Sequence, residues 1–127
     1  TKFKNICYEA DLLVGHNINF DKNMILVESM RNNIKPCFVR NKKIYCTMNN
    51  SKNICKINNT HNNSFKPPKL IELYKFYFKD DSEPDSLHNS MTDVFITLRC
   101  FGMLYSNLDY NKECLNLNFI NILCSLN

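Results

Sequence analysis

At 127 residues the chain has room for one domain, and 44% apolar with 22% charged residues excludes wholesale disorder and a coiled coil. Its longest apolar run, residues 115–126, is broken by Asn116, Asn118 and Asn121 and falls short of the roughly 20 residues of a membrane span, so no membrane partner is expected. The net charge of +4 is concentrated: between Glu28 and Glu72 there is no acidic residue, while Arg31, Lys35, Arg40, Lys42, Lys43, Lys52, Lys56, Lys66 and Lys69 supply nine positive charges. Such a stretch attracts polyanions, or forms a solubilising Lys/Asn-rich surface insert in a chain with 21 asparagines.

Residues 1–10 suit the end of a helix. Asp11-Leu-Leu-Val-Gly15 is a short apolar run stopped by glycine and reads as a buried strand. After the turn at His16, Asn17 is placed as the N-cap of a helix running to about Arg31, with Phe20, Met24, Val27 and Arg31 on one stripe and Ile25 widening it. Residues 32–68 are weakly patterned, with one short strand at 43–48 followed by an Asn-rich loop. Leu70, Leu73, Tyr74 and Tyr77 then predict a helix over about 69–78 with Pro68 in its first turn. An acidic break at 80–85 reads as a solvated loop. From Ser90 onward, Met91, Val94, Phe95, Leu98, Phe101 and Tyr105 follow the helical period and predict a core-facing helix. Residues 114–126 fit a strand and a helix equally well.

Seven cysteines, at 7, 37, 46, 55, 100, 114 and 124, form no CxxC or CxxxC pair, so a zinc site and a disulfide framework are both disfavoured. Cys100 and Cys124 sit among apolar neighbours, where a thiol acts as a small hydrophobe. With no signal-peptide pattern at the N-terminus, the expected setting is intracellular and reducing, in cytoplasm or nucleus. The chain opens without an initiating Met, consistent with a fragment.

Two carboxylates stand where a strand's end would meet a helix, the usual ligand position in α/β folds. Asp21 falls in the first turn after Asn17, where it also complements the helix dipole. Asp93, three residues after Ser90, also fits a capping box. His88, on the loop before that helix, is either structural or free to swing toward Asp93 and transfer a proton.

His16-Asn17-Ile18-Asn19-Phe20-Asp21, after the apolar strand, resembles the second motif (HNxxFD) of the DEDDh 3′-to-5′ exonucleases, the family of the proofreading subunit of bacterial DNA polymerase III. His88-Asn89-Ser90-Met91-Thr92-Asp93 resembles its third motif (HxAxxD), with Ser90 for the commoner alanine. The segment Lys66-Pro-Pro-Lys-Leu-Ile-Glu-Leu-Tyr74 resembles the helix before that motif in members from large DNA viruses. The resemblance implies a ribonuclease-H-like α/β fold over a single partial domain, 1–127, with a basic insert at about 32–66. It implies phosphodiester hydrolysis at the 3′ ends of single-stranded DNA or RNA with two Mg2+ or Mn2+ ions.

By position, Asp21 and Asp93 would hold the metals and His88 would act as general base. Asn17 would orient the site or the terminal nucleotide, Phe20 would pack beneath the loop, and Lys42 and Lys43 would attract the backbone. Tyr45 and Phe65 would stack on bases. The family's first motif, DxE on the opening strand, has no counterpart; Glu9-Ala10-Asp11 is reversed and too close to the second motif. Activity is therefore expected to need an upstream segment or a partner chain. The alternative is a catalytically inactive nuclease-fold module that binds nucleic acid or protein.

Overall fold

The computed structural model describes residues 2–81 and 89–114, and it is mixed α/β with one two-stranded parallel sheet. Helix α1 (Lys2–Glu9) leads into β1 (Leu12–Gly15), α2 (Ile18–Arg31), the single turn α3 (Cys37–Arg40) and β2 (Lys43–Cys46). These are followed by α4 (Thr47–Cys55), α5 (Leu70–Tyr77), α6 (Ser90–Ser106) and α7 (Tyr110–Cys114). The strands pair in register with Leu13 opposite Ile44 and Val14 opposite Tyr45. A parallel pair needs a crossover, and α2 with α3 supplies it.

Neighbouring strand positions face opposite ways, so the sheet is covered on both sides. Leu13 packs with Ile25 of α2 against Cys7, Phe38 and Val39, which joins α1, α2 and α3 over one face. On the other, Tyr45 meets Phe101 and Tyr105 of α6 edge-on. Behind α6 lies the larger core, Leu73, Tyr74, Phe78, Ile96 and Cys100, which joins α5 to α6. Burial pushes the Cys100 thiol up to about 12, so it stays protonated and serves as a core hydrophobe. The five cysteines at 7, 37, 46, 55 and 100 are all free thiols.

Both α3 and α4 fall in the stretch that reads as weakly patterned or as loop. The inward side of α4 is small and polar: Thr47 and Ser51 are fully buried, and the Ser51 hydroxyl donates to the Thr47 carbonyl at 2.6 Å. A hydrophobic period cannot find such a helix, because its buried face is not hydrophobic. The strand expected at 43–48 therefore ends at Cys46. Helix α5 begins after Lys69, with Pro68 outside its first turn, and the Glu72 carboxylate accepts from the Lys69 amide at 2.7 Å. In the acidic break, Asp81 is not merely solvated: its carboxylate pairs with Arg99 at 2.9 Å. Residues 82–88 and 115–127 lie outside the described residues, and with them the undecided C-terminal segment.

The predicted apolar stripe of α2 faces outward, whereas that of α6 does so only at its start: Leu98 and Phe101 are half-buried, and Phe101 packs on Tyr45. Along α2, Phe20 (62% exposed), Met24, Val27 and Met30 stand in solvent while Ile18, Ile25 and Ser29 turn inward. Along α6, Met91, Val94 and Phe95 are exposed while Ile96, Arg99, Cys100 and Gly102 are buried. Each helix thus carries two apolar faces, and periodicity alone does not say which of them neighbours cover.

The end of α6 is a close approach. Asn107, in the left-handed conformation that asparagine tolerates, terminates the helix, and the Leu108 amide returns to the Gly102 carbonyl. A Cβ on Gly102 would stand 2.5 Å from the Leu108 carbonyl oxygen and 3.0 Å from the Tyr110 ring. Gly102→Ala is expected to lower the denaturation midpoint, since overpacking against backbone costs about 1–3 kcal/mol and exceeds the helix-propensity gain. An unchanged or raised midpoint would show that the α6–α7 turn moves aside freely.

Candidate active site

The His16-Asn17 segment forms the turn between β1 and α2. Asn17 occupies the N-cap position in the left-handed region (φ 66°, ψ 43°), and its side chain makes no capping bond, contrary to the expectation that it caps α2. The left-handed residue instead turns the chain from strand to helix and leaves the Asn17 amide exposed. Asp21 follows in the first turn of α2, exposed, with no side-chain partner among the described residues. Phe20 does not pack beneath the loop; its ring is exposed.

His16 is the fastener of this corner. Its Nε2 donates to the Pro68 carbonyl at 3.0 Å, and its Nδ1 lies 3.0 Å from the Thr47 hydroxyl, so one imidazole ties β1 to α4 and to the segment entering α5. Burial pushes the ring's pKa below its ordinary 6.5, although the bond to Pro68 opposes that shift. The unfolded chain then binds a proton that the folded chain resists. Stability should be complete above about pH 6.5 and decline as pH falls from there toward the lowered folded value. His16→Gln is expected to flatten that decline in pH-dependent urea denaturation; an equally steep decline in the variant would exonerate His16.

Asp93 lies in the first turn of α6 and is half-buried. The capping box expected from Ser90 and Asp93 is not formed. Asn89 caps the helix, its Oδ1 accepting from the Met91 amide at 3.0 Å. That arrangement leaves the Asp93 carboxylate unpartnered among the described residues. Both α2 and α6 pack against β1, so the two carboxylates occupy the opening turns of the helices that flank one strand. His88, the expected proton carrier, lies outside the described residues.

The lysines divide. Lys42 donates to the carbonyls of Tyr8 and Ala10, both at 2.8 Å, and so closes the carboxyl end of α1, where a cation suits the helix dipole. Its ammonium is committed to backbone carbonyls. Lys43 is exposed, and its ammonium has no hydrogen bond or ion pair among the described residues. Tyr45 is held edge-on within an aromatic cluster, and burial raises its pKa. Phe65 lies at an isolated antiparallel bridge with Asn58 in the Asn-rich loop. Cys37 is exposed, and the pKa of its thiol is lowered chiefly by its hydrogen bond with the Tyr8 hydroxyl, at 3.1 Å.

Carboxylate oxygens suit hard divalent cations, and Asp21 and Asp93 offer unpartnered ones. Among the described residues no group of three or more His, Cys, Asp or Glu could hold a metal ion. No helix of the described residues is long and apolar enough to cross a membrane. No protein-family model matches the sequence, and no curated protein or solved structure is significantly similar to it.

Proposed function

We propose that the chain is part of a 3′-to-5′ exonuclease module of ribonuclease-H-like fold, acting on single-stranded 3′ ends of DNA or RNA. One observation carries the reading: Asp21 and Asp93, spaced in the sequence as the two motifs require, stand unpartnered in the first turns of two helices packed on β1. In this reading the two carboxylates bind divalent cations, Mg2+ or Mn2+, and Asn17 at the β1–α2 turn contacts the terminal nucleotide. The cations would stabilise the charge developing on the scissile phosphate and lower the pKa of the attacking water. His88, as general base, would take the water's proton.

Two carboxylates are fewer than a two-metal site takes, so the remaining ligands would come from a further strand on the edge of β1 that is unpaired among the described residues. An upstream segment or a partner chain would supply it. The apolar sequence of β1 supports this addition, because Leu12, Leu13 and Val14 have the composition of a central strand. A two-stranded sheet is also marginal by itself. The outward apolar stripe of α2 and the exposed start of α6 are further surface for such an addition to cover.

The alternative, an inactive nuclease-fold module that binds nucleic acid or protein, is favoured by the lack of a three-ligand cluster among the described residues. Mn2+ titration followed by NMR separates the two. Selective broadening of the Asp21 and Asp93 amides, lost in Asp93→Asn, supports the nuclease reading. Nucleic-acid binding without any broadening supports the inactive module.

A further inference from the structure

The aromatic cluster at the C-terminal end of α6 has a member that packing leaves free. The Tyr105 ring lies nearly parallel to Phe101, with centroids 5.1 Å apart and 25° between planes, and Tyr45 meets it at 84°. Held by these neighbours, Tyr105 is still 66% exposed, and its hydroxyl has no partner among the described residues. Two residues before Tyr45 on β2, and so on the same side of the sheet, stands Lys43. Its Cα is roughly 6.6 Å along the strand from that of Tyr45.

We propose that Tyr105 is a base-stacking platform for single-stranded nucleic acid and that Lys43 contacts the adjoining phosphate. A ring kept rigid by packing loses little entropy when a base stacks on it, and an exposed lysine on the sheet face that carries Tyr45 supplies the charge that a bare apolar patch lacks. Tyr45, the residue with the more apparent sequence signal, supports the platform from within. Tyr105 lies twelve residues along α6 from Asp93, roughly 18 Å of helix rise, so the platform is a subsite separate from the carboxylates. It would grip the strand away from the end being processed. The proposal rests on the nucleic-acid reading given above but not on catalysis.

The test uses the full 127-residue chain, fluorescence anisotropy and two probes, a labelled single-stranded oligothymidine and an abasic backbone of equal length. Tyr105→Ala is expected to weaken oligothymidine binding about fivefold or more while leaving abasic binding unchanged. Tyr105→Phe should bind like the wild type, whereas Tyr105→Leu, which keeps apolar bulk and guards against a folding artefact, should behave like the alanine variant. Lys43→Ala should lower the salt slope by about one phosphate contact on both probes. Undiminished oligothymidine binding by both Tyr105→Ala and Tyr105→Leu overturns the platform while the nucleic-acid reading stands. Failure of the wild-type chain to bind either probe overturns both.

Discussion

Arg99→Ala is expected to cost about 3–5 kcal/mol of stability, because it leaves a carboxylate buried without its partner. The Arg99 side chain is 6% exposed and that of Asp109 is 9% exposed. The guanidinium grips Asp109 through Nε at 3.0 Å and Nη2 at 2.7 Å, and its Nη1 donates to Tyr74 Oη at 3.1 Å and pairs with Asp81 at 2.9 Å. It also lies 3.9 Å from the centre of the Phe78 ring. One side chain thus joins α5, α6 and the turn into α7.

Lysine cannot reproduce the planar fork, so Arg99→Lys should recover little of the loss. Asp81→Ala should cost far less, since that carboxylate is 42% exposed and water can replace it. Urea denaturation of the three variants gives the ranking, and a loss under 1 kcal/mol in Arg99→Ala would refute the buried-network account. The same pair predicts acid sensitivity. The hydrogen bonds from Arg99 hold the Asp109 carboxyl below its usual 3.8, so its contribution is complete above about pH 4. It is lost as pH falls through the lowered value.

If the chain belongs to the proposed exonuclease module, then in that module with its further strand Asp93→Asn should abolish release of 3′ nucleotides while leaving the thermal midpoint close to wild type. The substitution is nearly isosteric, Asn89 rather than Asp93 caps α6, and no described residue pairs with the Asp93 carboxylate. His88→Ala should lower the rate by about 10²–10⁴, the usual magnitude for a lost general base. The readout is release of labelled nucleotide from a single-stranded 3′ end in Mg2+ or Mn2+. Near-wild-type release by Asp93→Asn would remove Asp93 from the chemistry, and a collapse of its thermal midpoint would assign it a structural role instead.

The sequence by itself determined the elements with strong local signals. Leu12, Leu13, Val14 and the stop at Gly15 specify β1, the Leu70, Leu73, Tyr74, Tyr77 period specifies α5, and the long apolar period after Asn89 specifies α6. Local sequence likewise placed Asp21 and Asp93 near the starts of helices, where the fold has them. Short helices with little hydrophobic period escaped, as α4 did, because Thr47 and Ser51 are buried through hydrogen bonds and small size.

Tertiary structure alone decided that the Phe20, Met24, Val27 stripe of α2 stays exposed and that α6 is packed on two sides, against Tyr45 of the sheet and against α5. It also assigned His16 to a three-way fastening and Lys42 to the end of α1. It placed Arg99 in a buried ion network with Asp81 and Asp109, residues ten or more positions away. These are partnerships across 10 to 52 positions of sequence, and no local period encodes them. A side chain's free or committed state depends on which distant donors and acceptors the fold brings within about 3 Å. That is why the fold separates Lys43, which stays exposed, from the committed Lys42, and why Tyr105 stands out only in the folded chain.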